Sequence, residues 1–417
     1  MVKSNFGKYG WYLVILSMCL FYFQTGLTAD GQNIYITAFA DERGWNASSQ
    51  FALISVSGYI AICAMIFMGW LMGKKGVRLI LSASLFITAG AVIFWGRGQE
   101  PYQYFIAVCL IQLFAVVSSH LSISTLLDSF FPKRKGIVLG WATMGLNLST
   151  IAAVPMMAVL FRNFGLQNGL TVIGVVYIGL GILTTTTIRN LPEEIGMGPD
   201  NEPLSQKQLD DNLRGFEKYK TKWRMIDFLK EREVWCVGVA GGIQYLCTTG
   251  IIVQFVPRVI GFGYEENTAI LIYSLSGIVG LPGSYFWGWL DAKAGVRKAS
   301  IVIMCWYTAA VFLYVISDSL VVLVVGLMMT FFAIGGTSTI AASYMGSVFG
   351  RHEFARVYGI VNPMIAALRT TAFPILAFVL ARYGNYSPAY TIFLVCAVAG
   401  IVVISFARPE PKYDVCE

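Results

Sequence analysis

The sequence predicts an all-α membrane protein of twelve transmembrane helices, built as two parallel six-helix repeats with both termini in the cytoplasm. Three observations predict it. Apolar runs of about 20 residues or more recur along nearly the whole chain, each long enough to cross a bilayer core as a helix. Basic residues crowd into alternate loops. One short phrase, GWLMGKKGVRL from Gly69, returns as GWLDAKAGVRK from Gly288. Composition agrees, because 56% of residues are hydrophobic and 13% charged. A soluble domain carries roughly 25% charged residues, so a water-soluble helical bundle is set aside.

Hydropathy and turn signals place the first six spans at about 11–39, 49–72, 78–97, 102–130, 136–161 and 168–190. The first is too long for a signal-peptide core and lacks a cleavage motif, so it is read as retained. The second six fall at about 233–260, 266–290, 298–317, 319–349, 354–381 and 386–407. Between them lies the longest break in hydrophobicity, read as a cytoplasmic linker that is partly helical around Trp223–Lys230. The chain therefore divides into an N-terminal bundle (1–190), a linker (191–232) and a C-terminal bundle (233–417).

The loops fix the orientation. Lys74, Lys75 and Arg78 share one loop, and Lys133, Arg134 and Lys135 another. Lys293, Arg297 and Lys298 fill a third, and Arg351 and Arg356 a fourth. The alternate loops hold Asp41, Glu42, Glu100, Glu265, Glu266 and Asp318 instead. This is the positive-inside pattern of a multi-pass protein of the cell (plasma or inner) membrane. The net charge of +7 orients the chain in the lipid bilayer and calls for no nucleic acid. Eight cysteines lie scattered without a CxxC, and there are two histidines, so no metal site or cofactor is expected.

The repeated phrase is part of a longer register. An offset of 219 residues carries Gly69 to Gly288, Trp70 to Trp289, Gly76 to Gly295 and Arg78 to Arg297. The same offset carries Ser55, Ser57 and Gly58 to Ser274, Ser276 and Gly277, and Gly140, Pro155 and Gly165 to Gly359, Pro374 and Gly384. Two halves with an even number of spans and the same topology form a parallel repeat about an axis along the membrane normal. Carriers of this kind rock one bundle against the other.

The phrase resembles the loop 2–3 signature of the major facilitator superfamily, G-x-L-x-D-r-x-G-x-R. The second copy supplies Gly288, Leu290, Asp291, Gly295 and Arg297; the first supplies Gly69, Leu71, Gly76 and Arg78, with Gly73 where the acid is expected. A narrower likeness is FFPKRKGIVLGWATMGLNLS, residues 130–149. It resembles the loop 4–5 and fifth-helix signature of the oxalate/formate antiporter and monocarboxylate transporter branch, with Gly140, Ala142 and Gly145 in its G-x-A-x-x-G run. Small residues at that spacing let two helix backbones approach. KYGWY near the start and LPEEIGMGPDNEP after the sixth span are similar to the same branch. The resemblance implies a monomeric twelve-helix carrier of a small or medium organic carboxylate. Members of the branch often carry an Arg in the eighth helix, where this chain has Ser284. Oxalate exchangers carry a Lys in the eleventh, where Arg369 stands about one turn beyond. The substrate is therefore expected to differ from both oxalate and lactate.

Charges inside a span cost about 2.5–3.5 kcal/mol each on insertion scales, so each needs a reason. Three ionisable residues lie well inside spans: Asp30, His120 and Arg369. Their counterparts under the offset are Thr249, Thr339 and Thr150, so the scaffold is duplicated while these groups are not. A guanidinium near mid-membrane cannot shed its proton, and its planar fork suits a carboxylate. Arg369 is read as the substrate's anion anchor, with a fixed pair to Asp30 as the structural alternative. Asp30 could alternate between Arg369 and a proton, coupling transport to H⁺, or be a fixed counter-ion. His120 could bind substrate or relay a proton, or be merely hydrogen-bonded among Ser118, Ser119 and Ser122.

Asn33, Asn147, Gln244, Tyr273, Asn362 and Tyr344 could complete a pocket, or spend their polar groups between helices. Asp128 is read as structural. Asp291 is expected to latch onto the basic loop of residues 133–135 (Lys133, Arg134 and Lys135) and close the cytoplasmic side, with Gly69, Gly288, Arg78 and Arg297 as the other gating positions. The alternative to a carboxylate carrier is an exporter of amphipathic or drug-like compounds, which the 14% aromatic content permits. An intramembrane enzyme is set aside because no HExxH, GxSxG or paired intramembrane aspartate is present. No filter loop suggests a channel.

Overall fold

The fold was examined in a computed structural model, which describes residues 6–317 and 319–412, apart from the side chains of Asn33, Ala47, Ser48, Phe51, Val154, Glu217, Glu266 and Asn267. Eleven stretches are long and apolar enough to cross a membrane. The longest, Leu320–Tyr383, is two helices meeting at Gly350 (φ 65°, ψ 176°), so the chain passes twelve times. No strand occurs among the described residues.

In the first half, α1 runs Gly7–Thr25, widens over Gly26–Asp30 and continues as Gln32–Arg43. Helix α2 is Ala47–Lys75 and α3 is Val77–Arg97. Helix α4 is Pro101–Val116 and Ser122–Phe130 around a wide turn at Val117–Leu121. Helices α5 (135–164) and α6 (166–187) meet at Gly165, φ 74°. In the second half, α7 is Arg232–Gly261 and α8 is Glu266–Gly277 resumed at Gly280–Ala294. Then follow α9 (Val296–Ile316), α10 (320–349), α11 (351–383, with a break at Thr371) and α12 (Ser387–Ser405).

The duplicated phrase is legible in the backbone. Gly76 (φ 82°) and Gly295 (φ 85°) each make the one-residue joint between consecutive helices, a left-handed conformation that a Cβ would strain. The arginine two residues on ties its helix to the last one of its own bundle. Arg78 donates through Nε and Nη2 to the Thr185 carbonyl, and Arg297 through Nη2 to that of Ser405. These two arginines therefore brace their bundles from within. Their hydrogen bonds stay within their own bundles and do not cross the gate.

The linker holds more helix than its composition suggested. Besides a single turn at Met225–Phe228 it forms Gln206–Lys218, started by a Ser205–Gln208 capping box. Both chain ends gather on the linker's side of the bundle. Gly7 packs on Asn201, while Lys412 donates its N–H to the Val348 carbonyl and pairs with Glu231 and Glu233.

Candidate functional site

Asp30 and His120 both sit where a helix departs from regular α geometry. The turn Gly26–Asp30 closes through an i→i+5 bond, with Gly31 N–H donating to the Gly26 carbonyl at 3.0 Å. His120 lies in the equivalent wide turn of α4. Such π-turns add a residue to one turn, swing the side chains off the regular stripe, and occur often at functional sites. In the second half, α8 breaks at Ile278–Val279 and α11 at Thr371, two residues beyond Arg369. Gly- and Ser-rich local sequence (TGLTADG, VSSHLS) was the available signal.

Arg369 stands 18 residues into α11, about 27 Å from its start, close to mid-span. Its side chain is exposed, yet it lies within electrostatic reach of His120 from α4 and Tyr245 from α7. A side chain turned to lipid would meet neither, so the exposed surface faces the cleft between the bundles. Tyr245 is held by a 2.8 Å hydrogen bond to Ser338 Oγ of α10, and His120 packs edge-on to Phe21 at 5.1 Å. No carboxylate among the described residues pairs with Arg369.

Asp30 forms a second pole. Ser149 donates to Asp30 Oδ2 at 2.7 Å and Thr150 at 3.4 Å, both from α5. Tyr22 and, from the other bundle, Tyr273 lie within its electrostatic reach. Tyr273 is in turn set edge-on against Phe331. The fixed Asp30–Arg369 pair is thus absent: the carboxylate's partners are hydroxyls.

The remaining polar candidates disperse. Asn147 is buried and spends its amide on the α5–α8 crossing, donating to the Gly280 carbonyl (3.1 Å) and Ser284 Oγ (2.9 Å). Gln244 is buried against Met304 of α9. Its neighbour Tyr245, one step of about 100° round the helix, faces the cleft instead. Asn362 lies close to Tyr358, as does Ser124 of α4. Tyr344 is fully buried nearer the linker side, with its hydroxyl unpaired. The Asn33 side chain lies outside the described residues.

The gate on the linker side is closed by glycines. A Cβ on Gly69 would lie 2.7 Å from Gly359 Cα, and one on Gly140 would lie 3.2 Å from Gly288 Cα. Under the offset of 219 these two crossings, α2 on α11 and α5 on α8, are images of each other. Gly58, eleven residues and about 16 Å along the same face of α2, has nothing within 4 Å. The α2–α11 seam is therefore shut on the linker side and parted toward the far side.

Asp291 is buried at this gate, against Gly136 and Ser343, with Lys135 in electrostatic reach. Lys135 is thus the member of the expected basic loop nearest to it, while Lys133 and Arg134 turn to the linker. Their backbone N–H groups donate to Asp200 (2.9 and 3.0 Å), and Lys133 Nζ pairs with Glu202 at 2.9 Å. The offset also pairs Asp291 with Met72 rather than Gly73, whose missing side chain makes room for Arg356. Asp128 forms a buried pair with Lys135 at 3.5 Å, covered by Gly346 of α10.

The linker crosses the closed gate as a strap. Arg351 pairs with buried Glu193 at 2.7 Å, and His352 is stacked between Phe216 and Tyr219 at 4.4 and 4.3 Å. Arg351→Gln leaves the Glu193 carboxylate buried without its cation, a cost on the order of 2 kcal/mol. Faster hydrogen exchange over 193–219 is the expected readout; unchanged exchange would show that the strap does not depend on this pair.

Comparison with known proteins fits this geometry. The family model described as the Major Facilitator Superfamily matches residues 14–369. Monocarboxylate transporter 12 of Mus musculus is 20% identical over 316 residues, 68% of this chain and 62% of that protein; the Rattus norvegicus protein matches equally over 314. The match thus spans less than two thirds of these relatives' length. Among solved structures, the proton:xylose symporter XylE superposes with a TM-score of 0.75 at 12% identity, covering 94% of this chain and 93% of that one. The human organic anion transporter MFSD10 (TETRAN) gives 0.68 at 14%, covering 94% and 98%. With a family model spanning residues 14–369, and a twelve-helix body that superposes on one of its solved members, the protein belongs to the Major Facilitator Superfamily of multi-pass membrane transporters.

Proposed function

We propose that the chain is a secondary carrier of an organic carboxylate, working by alternating access with both termini in the cytoplasm. One observation carries this reading. Arg369 presents a permanent cation to the cleft at mid-span, and no carboxylate among the described residues neutralises it. A guanidinium in that position is stabilised by an incoming anion, and its fork matches a carboxylate. Kinship with the monocarboxylate transporters supports the same substrate class. His120 and Tyr245, flanking the guanidinium, would orient the substrate.

Asp30 is the coupling group in this reading. Two hydroxyl donors from α5 stabilise its charged form, while Tyr273 of the opposite bundle lies within its electrostatic reach. Protonation weakens the acceptor those hydroxyls serve, adds an O–H donor, and so changes how α1 meets its neighbours. Uptake into proteoliposomes under an imposed pH gradient, with and without internal anion, tests it. In a symporter the gradient alone drives accumulation, and Asp30→Asn abolishes that response while leaving exchange against internal anion intact. If Asp30→Asn still accumulates substrate on a pH gradient, the coupling assignment is wrong.

A further inference from the structure

The repeated phrase has one set of residues that neither the gate nor the bundle bracing uses. Phe67, Trp70 and Lys74 of α2 are spaced i, i+3, i+7 and share a face. The offset of 219 reproduces them on α8 as Phe286, Trp289 and Lys293. In both copies the rings adjoin, with centroids 5.5 and 5.9 Å apart. In both, the ammonium rests over the indole, 4.0 Å from the Trp70 ring centre and 4.8 Å from that of Trp289. Phe67 is 57% exposed and Phe286 36%, and both lysines are exposed. Each ladder faces away from the glycine crossing made by its own helix.

Its polar groups are unused. Trp287, Trp306 and Trp235 each donate their indole N–H to a carbonyl. Neither Trp70 nor Trp289 has such an acceptor among the described residues, and neither Lys74 nor Lys293 has a carboxylate partner; the same holds for the adjoining exposed Lys75 and Lys298. An aromatic belt at a membrane boundary needs only rings at headgroup depth. It does not require an ammonium held over each ring, nor the same triad twice. An unpaired indole N–H and an ammonium set over the same ring fit a single phosphodiester. The Phe one turn deeper fits the acyl chain below it. Uncompensated lysines favour a headgroup of net negative charge over a zwitterionic one.

We propose that each ladder is a docking site for one anionic phospholipid in the leaflet on the linker side. The test uses the purified full-length protein in nanodiscs containing equal phosphatidylglycerol and phosphatidylcholine, released and weighed by native mass spectrometry. Phosphatidylglycerol is expected to be retained in preference, up to two per chain. Lys74→Gln and Lys293→Gln should each weaken retention at their own site about fivefold. Lys→Arg at the same positions should restore it, separating loss of charge from loss of fold. Equal retention of the two lipids, an unchanged preference in the Lys74→Gln/Lys293→Gln double variant, or displacement by inorganic phosphate would overturn the proposal.

Discussion

Arg369→Ala is expected to abolish concentrative uptake of the carboxylate and to weaken its binding by about two orders of magnitude or more, on the order of 3 kcal/mol for a charge-assisted, forked contact. The fold should survive the change. Where a buried ion pair is structural, removing one partner strands the other and costs about 3–5 kcal/mol. Here no carboxylate of the chain is stranded, because Asp30 is held by Ser149 and Thr150. Expression, monodispersity and ligand-free melting should therefore stay near those of the parent protein while substrate-induced stabilisation disappears. Arg369→Lys keeps the charge but loses the planar fork, so binding about tenfold weaker is expected. A thermal-shift screen over mono-, di- and aromatic carboxylates checks both variants. Retained binding of an uncharged amphipathic ligand by Arg369→Ala, with no carboxylate effect in the parent protein, would transfer the assignment to a drug-type exporter.

The fold was legible because it is written in quantities that a bilayer enforces along the chain. Span length, loop charge and a repeat in gapless register at an offset of 219 residues survive any detail of packing. The breaks at Gly165 and Gly350 show the limit: α5–α6 and α10–α11 run on almost without loop, so hydropathy locates the passes better than their ends. The site was legible only as residue types. Asp30, His120 and Arg369 were singled out by cost of burial, and the structure sets His120 beside Arg369. Which face a neutral polar residue takes was not legible. Gln244 and Tyr245 are adjacent, equally able to bind, and differ by one step round the helix; packing against Met304 decides between them. The π-turns compound this, since one inserted residue shifts the facing of everything after it. Asp291 was placed at the gate by its motif, but which member of the basic loop it would meet was not, because the linker competes for Lys133 and Arg134 through Asp200 and Glu202 and leaves Lys135.

The glycines of α2 give the second large effect, and they act in opposite directions. A side chain on Gly69 meets the backbone of Gly359, which cannot swing aside as a side chain would. Gly69→Leu should therefore force the linker side apart, at an overpacking cost of about 1–3 kcal/mol, shifting the equilibrium between states roughly 10- to 100-fold away from the closed gate. Gly58 lies on the same face of α2, in open space while the far side is parted. Rocking the bundles to close that side would bring α11 onto it, so Gly58→Leu should cost nothing in the present state and oppose the other. Spin-label distances across α2 and α11, measured at both ends, should lengthen on the linker side in Gly69→Leu and stay long on the far side in Gly58→Leu, with transport slowed in both. The two substitutions add the same volume to one helix face, so bilayer insertion and helix propensity are matched between them. Shifts of equal sign would mean that the crossing glycines do not act as the opposed stops of a rocking carrier, whatever the substrate proves to be.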